Sequence, residues 1–275
     1  MNLQSFWDKA KQVRKIQNNT WLPDKYGGIT IKSGVIYCNS EKIIEAIDIA
    51  NSDNSITKII SDNGDLGIEE IKENTFVIKR AIDTFGKVFN FNNKLGLSWY
   101  GVNLNVSEKV GTPLPLGVLD EHLKIIDKIN SFDKKSLVYC NFDIRTNITN
   151  RKPIFDWATN QDWIDEELPP INIPWEIYKL KLFDYFNKLS SYYFTLAPFG
   201  CGYDCFRTWE SLYLGVIPIV QKCQANKFFA KKLPILMVED YKELSKNYLE
   251  QKLKEFYNRN DYSVDYLDMD YWLYE

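Results

Sequence analysis

The sequence predicts an α/β protein of two domains, and three observations carry that expectation. Short β-rich runs alternate with helical patterns through the first hundred residues. Two prolines and two glycines in Gly111-Thr112-Pro113-Leu114-Pro115-Leu116-Gly117 break the pattern near the middle. A strand, a glycine-containing turn, a helix and a second strand then follow one another between Tyr192 and Val220. The chain has 275 residues, 45% of them hydrophobic, which is enough for two cores and long for one. The expected division is 1–117 and 118–275.

In chain order, the first residues mix charge and apolarity like an amphipathic helix. Gly34 to Cys38 reads as a strand, Glu41 to Ala50 as a helix and Thr57 to Ile60 as the next strand, which together make a β-α-β unit. That second strand runs into the turn cluster Ser61-Asp62-Asn63-Gly64-Asp65, and Thr75 to Ile78 and Lys87 to Phe91 continue the strand pattern. Ligands of parallel α/β sheets lie beyond the carboxyl ends of the strands, so the turn at 61–65 is placed where a substrate would sit. After the junction, Asp120 to Ile129 reads as a helix, Ser136 to Phe142 as a strand, and Asp143 to Arg151 as a polar loop at its carboxyl end. Trp175 to Leu189 has helical spacing, Tyr192 to Leu196 reads as a strand, and Tyr241 to Tyr257 as a helix before a Tyr/Asp-rich tail expected to pack back on the N-terminal domain.

Composition excludes several classes. A net charge of -3 lacks the basic surplus of a sequence-independent phosphate binder, so nucleic acid is not the expected partner. No apolar run reaches membrane-spanning length and the N-terminus lacks a signal-peptide centre, so the expected setting is the cytoplasm. Five cysteines, widely spaced, read as free thiols. Cys201 and Cys205 lack the further ligands a zinc site needs, so no metal is expected. Asp268-Met269-Asp270 spells an Asp-x-Asp metal motif, yet it lies in the tail and not after a strand of a nucleotide-binding fold.

The chemistry concentrates between Ala197 and Val220, APFGCGYDCFRTWESLYLGVIPIV. A glycine-containing turn that opens a helix at a strand's end offers free backbone N–H groups and the positive end of a helix dipole, a setting for a diphosphate. With Asp204 as N-cap, Arg207 falls in the first turn, where a cation is disfavoured unless an anion is bound. Phe206, Trp209 and Tyr213 claim the buried face, and Arg207, Glu210, Ser211 and Leu214 form the other stripe. An arginine for phosphate oxygens and a carboxylate for ribose hydroxyls would clamp a nucleotide. The competing reading is a surface ion pair spaced i, i+3.

This stretch resembles the C-terminal signature of exostosin-type glycosyltransferases and their short viral and microbial relatives, with a proline-glycine loop, an Arg-x-x-Glu helix start and a Gly-x-Ile-Pro strand. ISDNGDLG (60–67), PLPLG (113–117) and LVYCNFDIRTNITNR (137–151) resemble matching blocks, so the likeness spans most of the chain. It implies a GT-B architecture of two Rossmann-like domains facing across a cleft, a nucleotide-sugar donor held mainly by the second, and transfer of its sugar to a hydroxyl acceptor such as a glycan. If the chain is viral, the cytoplasm is the host's. Carried over by residue, Gly200 and Gly202 line the phosphates, Arg207 pairs with the diphosphate, Glu210 holds the ribose, and Asn141 and Arg151 are further donor contacts. The sequence departs from the relatives at Phe206 and at Asp62, where histidine is common.

Metal-independent inverting transfer needs one base for the acceptor proton, and Asp65 and Asp62 are the candidates, Asp65 preferred. His122, the single histidine, is expected at the surface of a linker helix. A transferase for a modified DNA base, or a nucleotide-sugar-binding module that has lost its base, are the alternatives.

Overall fold

The computed structural model describes residues 1–18, 20–22, 28–62, 65–81, 83–93, 96–129, 133–170 and 174–274. Helix α1 (Leu3–Ala10) is capped by the Asn2 side chain, which accepts from Ser5 N. Strands β1 (Ile29–Lys32) and β2 (Val35–Asn39) form a hairpin whose tight turn places Ser33 and Gly34 at positive φ. Helix α2 (Ile43–Ser52) leads to β3 (Lys58–Asp62), parallel to β2 as the β-α-β pattern predicts. The next strands depart from the expected series. β4 (Gly67–Lys72), β5 (Thr75–Lys79) and β6 (Lys87–Asn90) form an antiparallel meander, joined by β8 (Leu104–Asn105), in a separate four-stranded sheet. The connections explain this: a two-residue turn with Asn74 at positive φ links β4 to β5, and parallel neighbours would need a far longer crossover. β7 (Ser98–Val102) and β9 (Thr112–Leu114) return to the first sheet, giving the order β1-β2-β3-β7-β9, all parallel except β1. Phe76, Phe89, Phe91 and Trp99 cluster between the two layers.

Helix α3 (Asp120–Ile126) opens the second half. It is followed by β10 (Ser136–Cys140), α4 (Ile148–Ala158), β11 (Ile164–Glu166), α5 (Trp175–Ser190), β12 (Tyr192–Leu196), α6 (Phe206–Tyr213), β13 (Ile217–Gln221), α7 (Gln224–Ala230) and β14 (Leu236–Val238). These five strands are all parallel in the order β11-β10-β12-β13-β14. β13 is buried over Ile217 to Val220, as the continuous apolar run demands. β14 pairs with it only from Ile219 onward, so Pro218 lies beyond that ladder and its missing N–H is tolerated. Two sequence expectations shift. Helix α4 begins inside the predicted loop because Asn147 caps it, accepting from Asn150 N. The predicted helix from Tyr241 starts as a 3-10 turn, and α8 (Lys246–Asn258) begins afresh at the Ser245 cap.

The chain ends meet. Phe6 and Trp7 of α1 are buried in the core of the parallel sheet's half, against Tyr262 and beside α6 and α8. The tail, with α9 (Met269–Tyr274), lies on the same side, where Met269 N donates to Arg14 O and Arg14 pairs with Asp270. Trp272 meets Phe229 edge-on and Phe228 at a tilt, both on α7. Because α1 and α3 cover it, α6 is buried on nearly every side, and Ser211 and Leu214, expected on an open stripe, are wholly enclosed.

Candidate functional site

Between β12 and α6 the chain runs through Pro198 to Cys205, and both halves of the molecule hold this loop in place. From below, Arg151 donates to the carbonyls of Phe199 and Pro198 at 3.0 Å each, and also to Asp143 O and Thr146 Oγ1. Asn147 Nδ2 reaches Gly200 O at 3.0 Å, and Phe199 N donates to Gln221 Oε1. From the N-terminal half, Tyr203 Oη donates to Glu69 Oε2 and Asn103 Oδ1 accepts from Asp204 N at 2.7 Å. The glycines answer to these approaches. A Cβ on Gly202 would lie 2.5 Å from Asn103 Nδ2, and one on Gly200 would lie 3.0 Å from an Arg151 terminal nitrogen. Arg151, carried over as a donor contact, is thus built into the loop's foundation. Burial lowers its pKa to about 10, and the nearby Arg207 charge acts in the same direction.

Cys205, not Asp204, is the N-cap of α6. The Asp204 carboxylate is drawn away by three donors, Leu116 N (2.9 Å), Cys205 N (2.8 Å) and Trp209 Nε1 (2.7 Å), and so ties the Pro-Gly junction to the helix. Burial pushes its pKa up to about 6 against those hydrogen bonds. Arg207 still falls in the first turn. Its guanidinium lies 6.0 Å from the Phe142 ring, and its Nε is buried with no hydrogen-bond partner among the described residues. The Tyr185 hydroxyl, from α5, is buried beside it and favours its charge, though it too forms no hydrogen bond of good geometry among the described residues.

One turn along, Glu210 is not free. His122 Nδ1 lies 2.6 Å from Glu210 Oε1, and both side chains are nearly enclosed. The expectation of a surface histidine fails because α3 packs across α5 and α6, and the ring stands edge-on to Phe186 at 5.4 Å. The two partners are 88 residues apart, so no local pattern announces the pair.

These groups surround a cavity of about 770 Å³, within the size range of small-molecule sites. Of the residues expected at the site, Asn141, Arg151, Gly200, Gly202, Arg207 and Glu210 line it, and so does Asp65, exposed at the rim. Asp62 does not. It is buried at the end of β3, where desolvation pushes its carboxyl up to about 6. Asn63 and Gly64, between the two aspartates, lie outside the described residues. Asn141 Nδ2 donates to Tyr139 Oη, which in turn donates to Glu167. His122, Tyr178 and Tyr185 complete the wall, and the sequence reading missed them as site residues.

The position follows from topology. β10 is the first strand of its sheet and β11 the second, while β12, the third, pairs on the other side of β10. The chain reverses its direction of travel across the sheet between β10 and β12, and the cavity opens beyond the carboxyl ends of those two strands. This is the crevice in which open parallel sheets bind ligands. Among the described residues no cluster of three or more His, Cys, Asp or Glu is arranged for a metal ion, and no helix is long and apolar enough to cross a membrane. Asp268 and Asp270 of the tail are absent from the cavity wall. No family model and no curated protein matches the chain.

Proposed function

We propose that the cavity is the donor site of a metal-independent glycosyltransferase, which moves a sugar from a nucleoside diphosphate to a hydroxyl acceptor. In this reading residues 118–275, with helix α1 packed into their core, form the donor side and the remainder of residues 1–117 the acceptor side of a GT-B arrangement. The observation that carries it is Arg207: a guanidinium in the first turn of a helix, partnerless at Nε, on the wall of a cavity at the strand switch point. Tyr185 and Glu210 favour the guanidinium's charge from within the fold, and a diphosphate in the cavity would add the anion that a helix N-terminus attracts.

In the reaction the acceptor oxygen forms its bond to the anomeric carbon as the bond from that carbon to the diphosphate oxygen breaks. The electron pair leaves on the diphosphate, where Arg207 and the backbone of the 200–205 loop stabilise it. Asp65, at the rim on the N-terminal side, takes the acceptor proton. The test is thermal unfolding against a panel of nucleoside diphosphates and nucleotide sugars, where a ligand at 100 times its Kd adds about 2.7 kcal/mol. Stabilisation by one nucleotide class and diphosphate release on adding acceptor support the proposal. No stabilisation by any of them overturns it, and binding without turnover reduces the protein to a nucleotide-sugar-binding module. Asp65→Asn is expected to leave binding intact and slow transfer by about 10²–10⁴-fold.

A further inference from the structure

Glu210 is the deepest acid on the cavity wall and presents an unusual arrangement of hydrogen-bonding capacity. Its side chain is only 5% exposed, and a carboxylate so enclosed needs donors for both oxygens. His122 Nδ1 serves Oε1 at 2.6 Å, and the Glu210 side chain lines the cavity wall. The histidine is held firmly for that purpose: α3 presses it against α5, with the Phe186 ring edge-on at 5.4 Å, and Glu210 is its hydrogen-bond partner. Donation from Nδ1 to a carboxylate fixes both the tautomer and the direction of that carboxylate, the role a buried acid and imidazole play for one another in many sites. Arg207 and Glu210 stand one helical turn apart on α6, about 5 Å along its axis. That is the span between a phosphate and the hydroxyls of the sugar that carries it.

We propose that His122 is a positioning residue for nucleotide selection: by holding Oε1 of Glu210 it aims Oε2 at a ribose hydroxyl, and so makes the cavity prefer ribonucleotides to nucleotides lacking those hydroxyls. The inference rests on the nucleotide-sugar reading above and goes beyond it in naming what discriminates the sugar of the nucleotide. Tyr178, close to both Glu210 and Arg207, walls the same end.

The experiment is calorimetric titration of the intact protein with the nucleoside diphosphate that stabilises it best and with its 2′,3′-dideoxy analogue. The wild type should bind the ribo form about 10- to 100-fold more tightly, as expected for hydrogen bonds to a charged group. His122→Phe keeps the ring's shape and removes the Nδ1 donor, so the ratio should fall toward one through loss of ribo affinity, with dideoxy affinity unchanged. His122→Asn places an amide nitrogen near the Nδ1 position and should restore most of the preference. If His122→Phe does not fold, Glu210→Gln, of the same shape, should show the same collapse of the ratio. Binding of no nucleotide by the wild type would sink the parent reading. Nucleotide binding with a ratio that survives His122→Phe, or a variant that loses both ligands equally, would overturn this inference alone.

Discussion

Replacing Arg207 by methionine should leave the ligand-free protein within about 1 kcal/mol of the wild type, because the groups around the guanidinium oppose one another. Its Nε is buried without a hydrogen-bond partner among the described residues, and an unsatisfied buried donor costs about 1–3 kcal/mol. The Arg151 guanidinium nearby adds like-charge repulsion. Against this stand the contact with the Phe142 ring at 6.0 Å, worth about 0.5–1 kcal/mol, and the attraction of Tyr185, Cys205 and Glu210, which outweighs burial and raises the pKa of Arg207. Methionine keeps most of the side chain's packing and carries no charge. A change of about 1 kcal/mol corresponds to about 2–4 °C in Tm for a chain of this size. The assay is urea and thermal unfolding of both proteins without nucleotide, with the urea m-value checked for constancy, and then again with the stabilising nucleotide. The variant should unfold close to the wild type alone and gain nothing from the ligand. If Arg207→Met instead loses more than 1 kcal/mol in the absence of ligand, the guanidinium is part of the scaffold and the reasoning from its unsatisfied state is wrong.

Asp62 gives a prediction in pH. Its pKa rises from 3.8 to about 6 on burial, so the folded chain holds a proton that the unfolded chain releases between those values. The favourable contribution is complete below about pH 4 and disappears as the pH passes through about 6, leaving a charged, buried carboxylate at pH 7 at a cost of about 3 kcal/mol. Asp62→Asn should therefore stabilise by about 3 kcal/mol at pH 7 and by only about 1 kcal/mol at pH 4.5; an equal effect at both pH values in urea titrations would count against burial as the cause. Gly202→Ala drives a methyl group to 2.5 Å from the Asn103 amide, whose Oδ1 anchors Asp204 N, and should cost about 1–3 kcal/mol by displacing the loop. An unchanged Tm would mean that the loop yields without cost.

Much of the site was legible because its signals are local. Gly-containing turn, helix and strand lie within one stretch, and Gly215, at φ 70 just after α6, occupies the left-handed position that its sequence context suggests. Strands β10, β12 and β13 of the second sheet were likewise legible from alternating strands and helices, whereas the short edge strands β11 and β14 were not read. What the sequence could not convey depends on distant partners. The Asp204 carboxylate, an apparent N-cap, turns instead to Leu116 and Trp209, because the folded junction supplies better-placed donors. His122 looked like a surface residue because its partner is separated from it by the entire first part of the parallel sheet. Of the meander, β5 and β6 were read as strands and β4 was not, and the membership of all three in a separate sheet is set by turn length and by the aromatic cluster beneath it, not by strand propensity.

The closure of the chain ends has a consequence for how the protein is made. Helix α1 leaves the ribosome well before Tyr262 and helix α8, which cover Phe6 and Trp7. At roughly 5–20 residues per second, that apolar face waits on the order of tens of seconds for its cover. During synthesis the helix is a natural client for chaperones, and the half of the molecule that carries the cavity can complete its core only once residues 246–262 have been made.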